Sequence, residues 1–304
     1  MDETGLGWAG LADRGVLALG GPDRVDFLQG LVSNDVRRAG PERAIWAALL
    51  TPQGKYLHDF LIAELDGTLL LDCEAARRDD LLRRLKLYRL RAKVTLEDRT
   101  PDLAVAVAFG PGAAAALGLP GGERGAARPF GGGTAFVDPR TPALGARAIL
   151  PRAGAEAALK GAGLAPRAAS EWTLRRLGLG VPEGSGDLAV EKAILLENGF
   201  DALDGVAWDK GCYVGQELTA RTKYRGLVKK RLVPVRLDGP PPAPGTPVTT
   251  GDGRDAGEVR SVLGDRGLAL LRIEELERAL DGGAGLLAGE ARLLPERPAW
   301  APAP

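Results

Sequence analysis

Residues 210–217 read Lys210-Gly211-Cys212-Tyr213-Val214-Gly215-Gln216-Glu217, and no other stretch of the chain says as much about it. Two glycines bracket the cysteine, and glycine tolerates backbone conformations closed to other residues. The run 215–224 has helical character, and Gly226 supplies a stop. Cys212 therefore stands just ahead of a helix N-terminus with Lys210 two residues away, and both features favour thiolate, the form that acts as nucleophile and metal ligand. The competing reading is a buried, inert thiol, a common fate of cysteine. Glu217 fits a first-turn carboxylate answering the helix dipole better than a general base.

Scarcity limits what this thiol can do alone. Cys73 and Cys212 are the only cysteines and His58 is the only histidine, so the chain cannot assemble a thiolate and imidazole zinc site or a four-cysteine iron–sulfur cluster by itself. One thiolate can still complete a shell that a partner provides. A disulfide framework is excluded on the same count. Forty basic residues balance forty acidic ones, so no global field draws in nucleic acid or an anionic membrane. Asp2 and Glu3 stand where a secretory signal would carry cations, which predicts a cytoplasmic protein. The longest uncharged stretch, 103–122, is broken by glycine and proline and predicts no membrane span.

Outward from the octapeptide the patterning changes three times. Residues 1–45 predict a strand at 15–20, then a helix opened by Pro22 with Val25, Phe27, Leu28, Leu31 and Val32 on one face. Strands at 45–50, 56–64 and 68–72 follow, the last two joined by the hairpin signal Asp66-Gly67, and then an amphipathic helix at 75–88. Further strands fall at 93–97, 103–109, 134–137 and 145–150, with a Gly- and Arg-rich loop at 121–133 and a helix near 153–162. Helical patterning returns over 166–226. Beyond it, 231–237, 246–250, 256–263, 267–273 and 290–294 are short strands around the proline-rich 239–245, which predicts a small β-domain and then a loose tail at 298–304.

The octapeptide, extended by Ala220-Arg221 and Arg225-Gly226, resembles the signature of the YgfZ family of folate-binding proteins. The likeness also covers Phe27-Leu28-Gln29-Gly30 with Asn34-Asp35-Val36, the Gly54-Lys55 turn, and Gly257-Glu258-Val259-Arg260-Ser261. It implies an α+β protein related in fold to the glycine cleavage T-protein, a tetrahydrofolate-dependent aminomethyltransferase, with three domains around a central hole. Those domains would be a discontinuous folate-binding one (1–45 and 166–226), an inserted ferredoxin-like α+β one (46–165) and a C-terminal β-barrel (227–304). The resemblance further implies an accessory factor, not a classical enzyme, for iron–sulfur cluster assembly or repair in client enzymes, including those of tRNA thiomodification. Tetrahydrofolate is the implied ligand. A cluster shared with a carrier or client protein through Cys212 is the implied cargo, with Lys210 and Arg221 placed to offset its negative charge and Gln216 to donate a hydrogen bond near it.

For folate the same likeness points to Trp172, Asn34, Asp59 and Arg14. A flat indole can stack on a pterin, and Arg14, where the family carries a second tryptophan, could pair with a folate carboxylate. Gly178 stands where many relatives carry a glutamate that reads the pterin edge. His58-Asp59 occupies the place of the aminomethyltransferases' paired aspartates, so one acid is missing and aminomethyl or other one-carbon transfer ranks second. A plain folate-binding or interaction module is a third reading. A lone strand histidine is more often structural than catalytic, and Gly54-Lys55 lacks the spacing of a phosphate loop. Seven cations and no acid lie over 218–237; a solvated face is the default there, ahead of a polyglutamate anchor or contact with an acidic partner or RNA, and with only Tyr213 and Tyr224 close by, direct RNA contact is disfavoured.

Overall fold

The computed structural model describes residues 5–282 and 285–301, so Asp2, Glu3 and the end of the expected tail lie outside the described residues. Its contacts divide the chain into two compact units, Met1–Leu50 with Leu57–Trp172 and Asp204–Val214, and Thr51–Tyr56 with Thr173–Leu203 and Gly215–Pro304.

The first unit is built on two sheets. Its strands are β1 (Gly7–Gly10), β2 (Arg14–Gly20), β3 (Ile45–Leu50), β4 (Tyr56–Leu65), β5 (Thr68–Glu74), β6 (Thr95–Asp98), β7 (Leu103–Phe109), β8 (Ala127–Phe130), β9 (Gly133–Val137), β10 (Ala146–Pro151) and β11 (Ala165–Pro166). One sheet runs β3-β4-β5-β2-β6 and the other β11-β1-β7-β10-β9-β8. Side chains alternate across a strand, and the alternation sorts the core. Leu17, Leu19, Phe60, Ile62, Leu69 and Leu71 pack with Leu28 of helix α1 (Arg24–Gln29) and with Leu81 and Leu85 of α2 (Arg78–Tyr88). On the other sheet Ala106, Ala108, Ala135, Ala148 and Leu150 pack with Ala113 of α3 (Ala113–Ala116) and Leu159 of α4 (Ala155–Gly161).

The opposite faces of these strands are buried as well, and they carry charge. Arg14 and Asp72 leave one sheet and Arg147 leaves the other; Asp72 accepts from Arg14 Nε at 2.6 Å and from Arg147 at 2.7 Å. Asp138 accepts from Arg140 at 2.8 Å and from Arg147 Nε at 3.4 Å. Burial works against the charged form of Asp138, but Arg140 and Arg147 outweigh it and hold the carboxyl below its usual range. Strands buried on both faces read as near-continuous apolar runs, which is why 45–50 and 103–109 show no clean alternation in the sequence.

The second unit contains the C-terminal part of α5 (Ala169–Gly178), α6 (Gly184–Asp187), α7 (Gln216–Tyr224) and a closed barrel. The barrel strands are β12 (Lys230–Asp238), β13 (Pro247–Thr250), β14 (Asp255–Leu263), β15 (Arg266–Arg272), β16 (Leu286–Ala288) and β17 (Ala291–Pro295), in the order β12-β15-β14-β13-β16-β17. Val233, Val235, Val248, Val259, Leu271 and Leu293 fill it, with Leu276 of α8 (Ile273–Leu280) packed on them. Gly257 is required where β14 meets β15: its φ is +143° and a Cβ would sit 2.1 Å from the Leu270 carbonyl oxygen. Arg260 and Ser261 both bond Asp187, which also accepts from Arg176 at 2.6 Å. The Gly257–Ser261 sequence of the resemblance thus closes the barrel and clamps the loop at 187 to it.

The α+β class and the C-terminal barrel stand as expected. Residues 1–45 supply β1 and β2 to the sheets that 46–166 complete, with β2 paired to both β5 and β6. Strand order in a sheet is set by long-range pairing, which local patterning does not carry. β1, β8 and α8 add elements that the patterning left as loop or strand. Among the described residues no helix is long and apolar enough to cross a membrane.

Asp72 is the point at which the two sheets share charge. Replacing it by alanine takes away the carboxylate that Arg14 and Arg147 share, leaving Arg147 only its longer contact with Asp138, and removing one partner of a buried pair costs about 3–5 kcal/mol. Urea unfolding of Asp72→Ala should show that loss; a change within about 1 kcal/mol would place the pair among exposed bridges of little consequence.

Candidate functional site

The loop 210–214 is fastened on both sides of the cysteine. Lys210 Nζ donates to three backbone carbonyls, of Gln29 at 2.8 Å, Val32 at 2.7 Å and Asn34 at 2.7 Å, which uses every ammonium hydrogen. Burial pushes its pKa down to about 8, and its charge also lies 5.0 Å from the ring centre of Tyr213. On the far side the Val214 N–H donates to the Gly30 carbonyl at 3.1 Å, and the Val214 side chain packs on the core of the five-stranded sheet. Between these anchors Gly211 and Cys212 are exposed. The thiol is presented to solvent because its neighbours are drawn inward.

This geometry changes the roles assigned from the sequence. Lys210 is a peg for the loop, with its ammonium committed to carbonyls, rather than a flanking cation for the thiol. Of the two glycines only Gly215 needs its freedom, with φ +82° directly before α7; a Cβ at Gly211 meets nothing within 4 Å. Glu217 lies exposed in the first turn of α7, as its dipole reading requires, while Arg221 lies exposed in the last turn. Gln216 is partly buried and is not without a partner. The Gly54-Lys55 turn also acquires a purpose: at φ +78°, a Cβ on Gly54 would sit 2.6 Å from Leu218 Cβ and 2.7 Å from the Gly215 oxygen, so only glycine lets this turn lie against the start of α7.

Residues 229–303 match the family model described as CAF17, C-terminal beta-barrel domain. Proteins named iron-sulfur cluster assembly factor IBA57, mitochondrial, from Homo sapiens and Mus musculus are 36% and 35% identical to the chain, each alignment covering 91% of this chain and 81% of the relative. The homolog from Mycosarcoma maydis is 33% identical, over 93% of this chain and 78% of its own. The chain belongs to the IBA57 family. A crystal structure of the glycine cleavage system aminomethyltransferase T from Bartonella henselae shares its fold, with a TM-score of 0.73 over 96% of this chain and 84% of that one at 16% identity. The octapeptide resemblance therefore holds at the level of the IBA57 family and its aminomethyltransferase-like fold. The cytoplasmic expectation does not hold, since the IBA57 relatives are named mitochondrial.

The residues proposed for folate occupy the first unit of this IBA57-family chain, and each is buried with its groups engaged. Asn34 donates to the carbonyls of Trp46 at 2.8 Å and Asp204 at 2.7 Å and accepts from the Asp35 N–H. Asp59 accepts from Trp46 Nε1 at 3.0 Å. Arg14 is held by Asp72, and Trp172 is 2% exposed with the Arg147 guanidinium 5.0 Å from its ring centre. The network also contains Asp138, Arg140, Arg147 and Trp46, which the sequence reading passed over; their signal is charge inside otherwise apolar strands and turns, as in Ala146-Arg147-Ala148-Ile149. A Cβ at Gly178 meets nothing within 4 Å, so a glutamate there would have room.

His58 is structural. Its Nε2 lies 2.9 Å from Asp80, which also receives Arg83 and Arg84. Burial, with Arg77 nearby, pushes the imidazole down to about 4. Burial opposes ionisation of Asp80, and the hydrogen bonds from Arg84, His58 and Arg83 outweigh it, holding that carboxyl well below the carboxylate range.

Two measurements check this site. The folded histidine pKa lies below the unfolded value of 6.5, so above 6.5 neither state is protonated, and as pH falls from 6.5 to 4 only the unfolded chain takes up the proton. Stability should fall across that window by on the order of 3 kcal/mol, a slope absent in His58→Gln; Asp80 contributes its own loss only below the carboxylate range. Second, Cys73 is buried and its thiol is pushed up to about 12 by that burial, whereas Cys212 is exposed. Iodoacetamide at neutral pH should label Cys212 in the folded protein and reach Cys73 only after unfolding, as read by peptide mass spectrometry.

Proposed function

We propose that this chain is an accessory factor in iron–sulfur cluster assembly, a YgfZ-type member of its family, and that Cys212 is the residue that meets the cluster. The observation that carries the reading is the exposed thiol on a loop pinned at Lys210 and Val214. Support comes from relatives one-third identical over nine-tenths of the chain whose names state cluster assembly.

The chemistry follows from ligand number. A cluster needs several thiolate or imidazole ligands, and among the described residues no group of three or more His, Cys, Asp or Glu could hold a metal. One cysteine can supply one bond, and a carrier or client protein brings the remaining ligands. The cluster is cargo in this reading, and the rigid backbone on either side of Cys212 fixes where the sulfur is offered. Enzymes of tRNA thiomodification fall within the client class.

Tetrahydrofolate is the small ligand that the resemblance implies. Arg14, Asn34 and Asp59 have their polar groups spent within the protein, and Trp172 has Arg147 beside its ring. As placed, these residues do not fit a folate held through them, and no step is routed through it. Aminomethyl transfer gains nothing from the site, because His58 is bound to Asp80 and Asp59 to Trp46.

The deciding experiment replaces Cys212 by serine in cells lacking the protein. The variant should fold with an unchanged unfolding midpoint, since the side chain is exposed, yet iron–sulfur client enzymes in extracts should lose about tenfold or more of their restored activity. Full restoration by Cys212→Ser would show that the thiol does not meet the cluster.

A further inference from the structure

Helix α2 ends in a segment that the core does not use. Lys86 through Arg91, the sequence Lys86-Leu87-Tyr88-Arg89-Leu90-Arg91, is exposed at every position. Leu87 is 66%, Tyr88 39% and Leu90 88% exposed, so three large apolar side chains stand together in water. Soluble surfaces usually scatter such residues singly, and a cluster marks a contact site.

Leu90 is also in an unusual backbone state. It follows the helix C-cap Arg89 with φ +43°, the left-handed conformation in which helices commonly end on glycine. A leucine there pays a steric penalty and receives no packing in return. Glycine would satisfy the backbone better, so leucine here gains nothing from the fold of this chain.

Charge adds direction. Most arginines on this helix have carboxylate partners: Arg77, Arg83 and Arg84 share Asp80, and Arg78 pairs with Asp79 and Asp98. Lys86, Arg89, Arg91 and Lys93 are exposed, and among the described residues none of their side chains is ion-paired with a carboxylate, although the Lys93 backbone N–H donates to Asp23 at 2.7 Å. Beside them Leu82, Arg83, Lys86 and Leu87, with Asp79, line a concavity of about 440 Å³. That open concavity has Leu82 and Leu87 on its floor and Arg83 and Lys86 on its rim, where the one acid, Asp79, is paired with Arg78.

We infer that the end of α2 is a docking surface for an acidic amphipathic helix of a partner protein, which seats an apolar side chain in the Leu82–Leu87 hollow, covers Leu90, and sets carboxylates against Lys86, Arg89, Arg91 and Lys93. Helix-in-groove recognition uses this combination of apolar anchors and a charged border. An anionic bilayer would also attract the cations, but the open concavity along Leu82 and Leu87 offers a partner helix a seat for apolar side chains that a bilayer does not need. The surface does not involve Cys212, so it stands apart from the cluster proposal.

The test uses the full chain and a labelled helical peptide of roughly 15 residues with leucines on one face and glutamates on the other, followed by fluorescence anisotropy. Binding should be measurable at low salt, weaken about tenfold or more at ~0.5 M salt, and weaken about tenfold when the glutamates are replaced by glutamines. Leu90→Gly should bind about tenfold more weakly than the parent while its unfolding temperature holds or rises, because the left-handed strain is relieved. That pairing separates lost contact from lost folding. Equal binding by Leu90→Gly, equal binding of the glutamate and glutamine peptides, or no binding at millimolar peptide would each overturn the proposal. So would Leu90-dependent binding to phosphatidylserine vesicles in place of the peptide, which would make the patch a lipid contact.

Discussion

One ammonium group organises the candidate site. Lys210 reaches the carbonyls of Gln29, Val32 and Asn34, which belong to the last residue of α1 and the turn after it. Carbonyls at a helix end lack intrahelical donors, and here a side chain far along the chain satisfies them. The turn so fixed then holds its own contacts: Ser33 donates to the Gly205 carbonyl, Asn34 to those of Trp46 and Asp204, and Gln29 to Asp35. Residues 29–36, 46 and 204–214 therefore behave as one assembly. Cys212 can be left exposed on a defined backbone because the residues around it are held by that assembly.

The same unit spends its buried charge internally. Three arginines and two aspartates lie between the sheets, each with a partner of opposite sign, and two tryptophan rings flank the arginines. A hydrophobic replacement of similar volume often matches or exceeds the stability of such a network, so stability alone does not account for its presence. What it does achieve is register. A shift of β10 by one residue would turn Arg147 toward the apolar layer of α3 and α4, away from Asp72 and Asp138, and a one-residue slip reverses every side chain of a strand.

Legibility in the sequence followed the range of the interaction. Local signals carried well: α7 begins one residue after the predicted start, the Asp66-Gly67 hairpin joins β4 to β5 as expected, and the five barrel strands proposed from alternation all form, with β16 added. The exposed cysteine was legible because glycines, a lysine and a following helix surround it within a few residues. Long-range features were not. That β2 lies at the centre of a sheet with β5 and β6, or that Lys210 faces the turn at 29–34, depends on pairing between distant segments. Arg147 in a strand looks from the sequence like a solvent-facing residue, and only the second sheet makes that face interior. The pattern over 75–88 predicts one amphipathic helix, and it does not show that the exposed apolar residues Leu87, Tyr88 and Leu90 continue past the point where the core ends.

The contrast between the two cysteines shows how the fold selects chemistry from a common residue. Cys73 lies on β5, inside the layer beneath α2, and its weak contact is the Gly15 carbonyl at 3.6 Å. Burial penalises its thiolate, so it has the properties of a small hydrophobic side chain. Cys212 lies on a loop whose inward positions are already occupied by Lys210, Tyr213 and Val214, which leaves the sulfur no apolar environment to enter. For a metal ligand that must receive and release cargo, exposure allows exchange with an incoming ligand, and a pinned backbone keeps the exchange at one place. A buried thiol offers neither, and a thiol on a loose loop offers only the first.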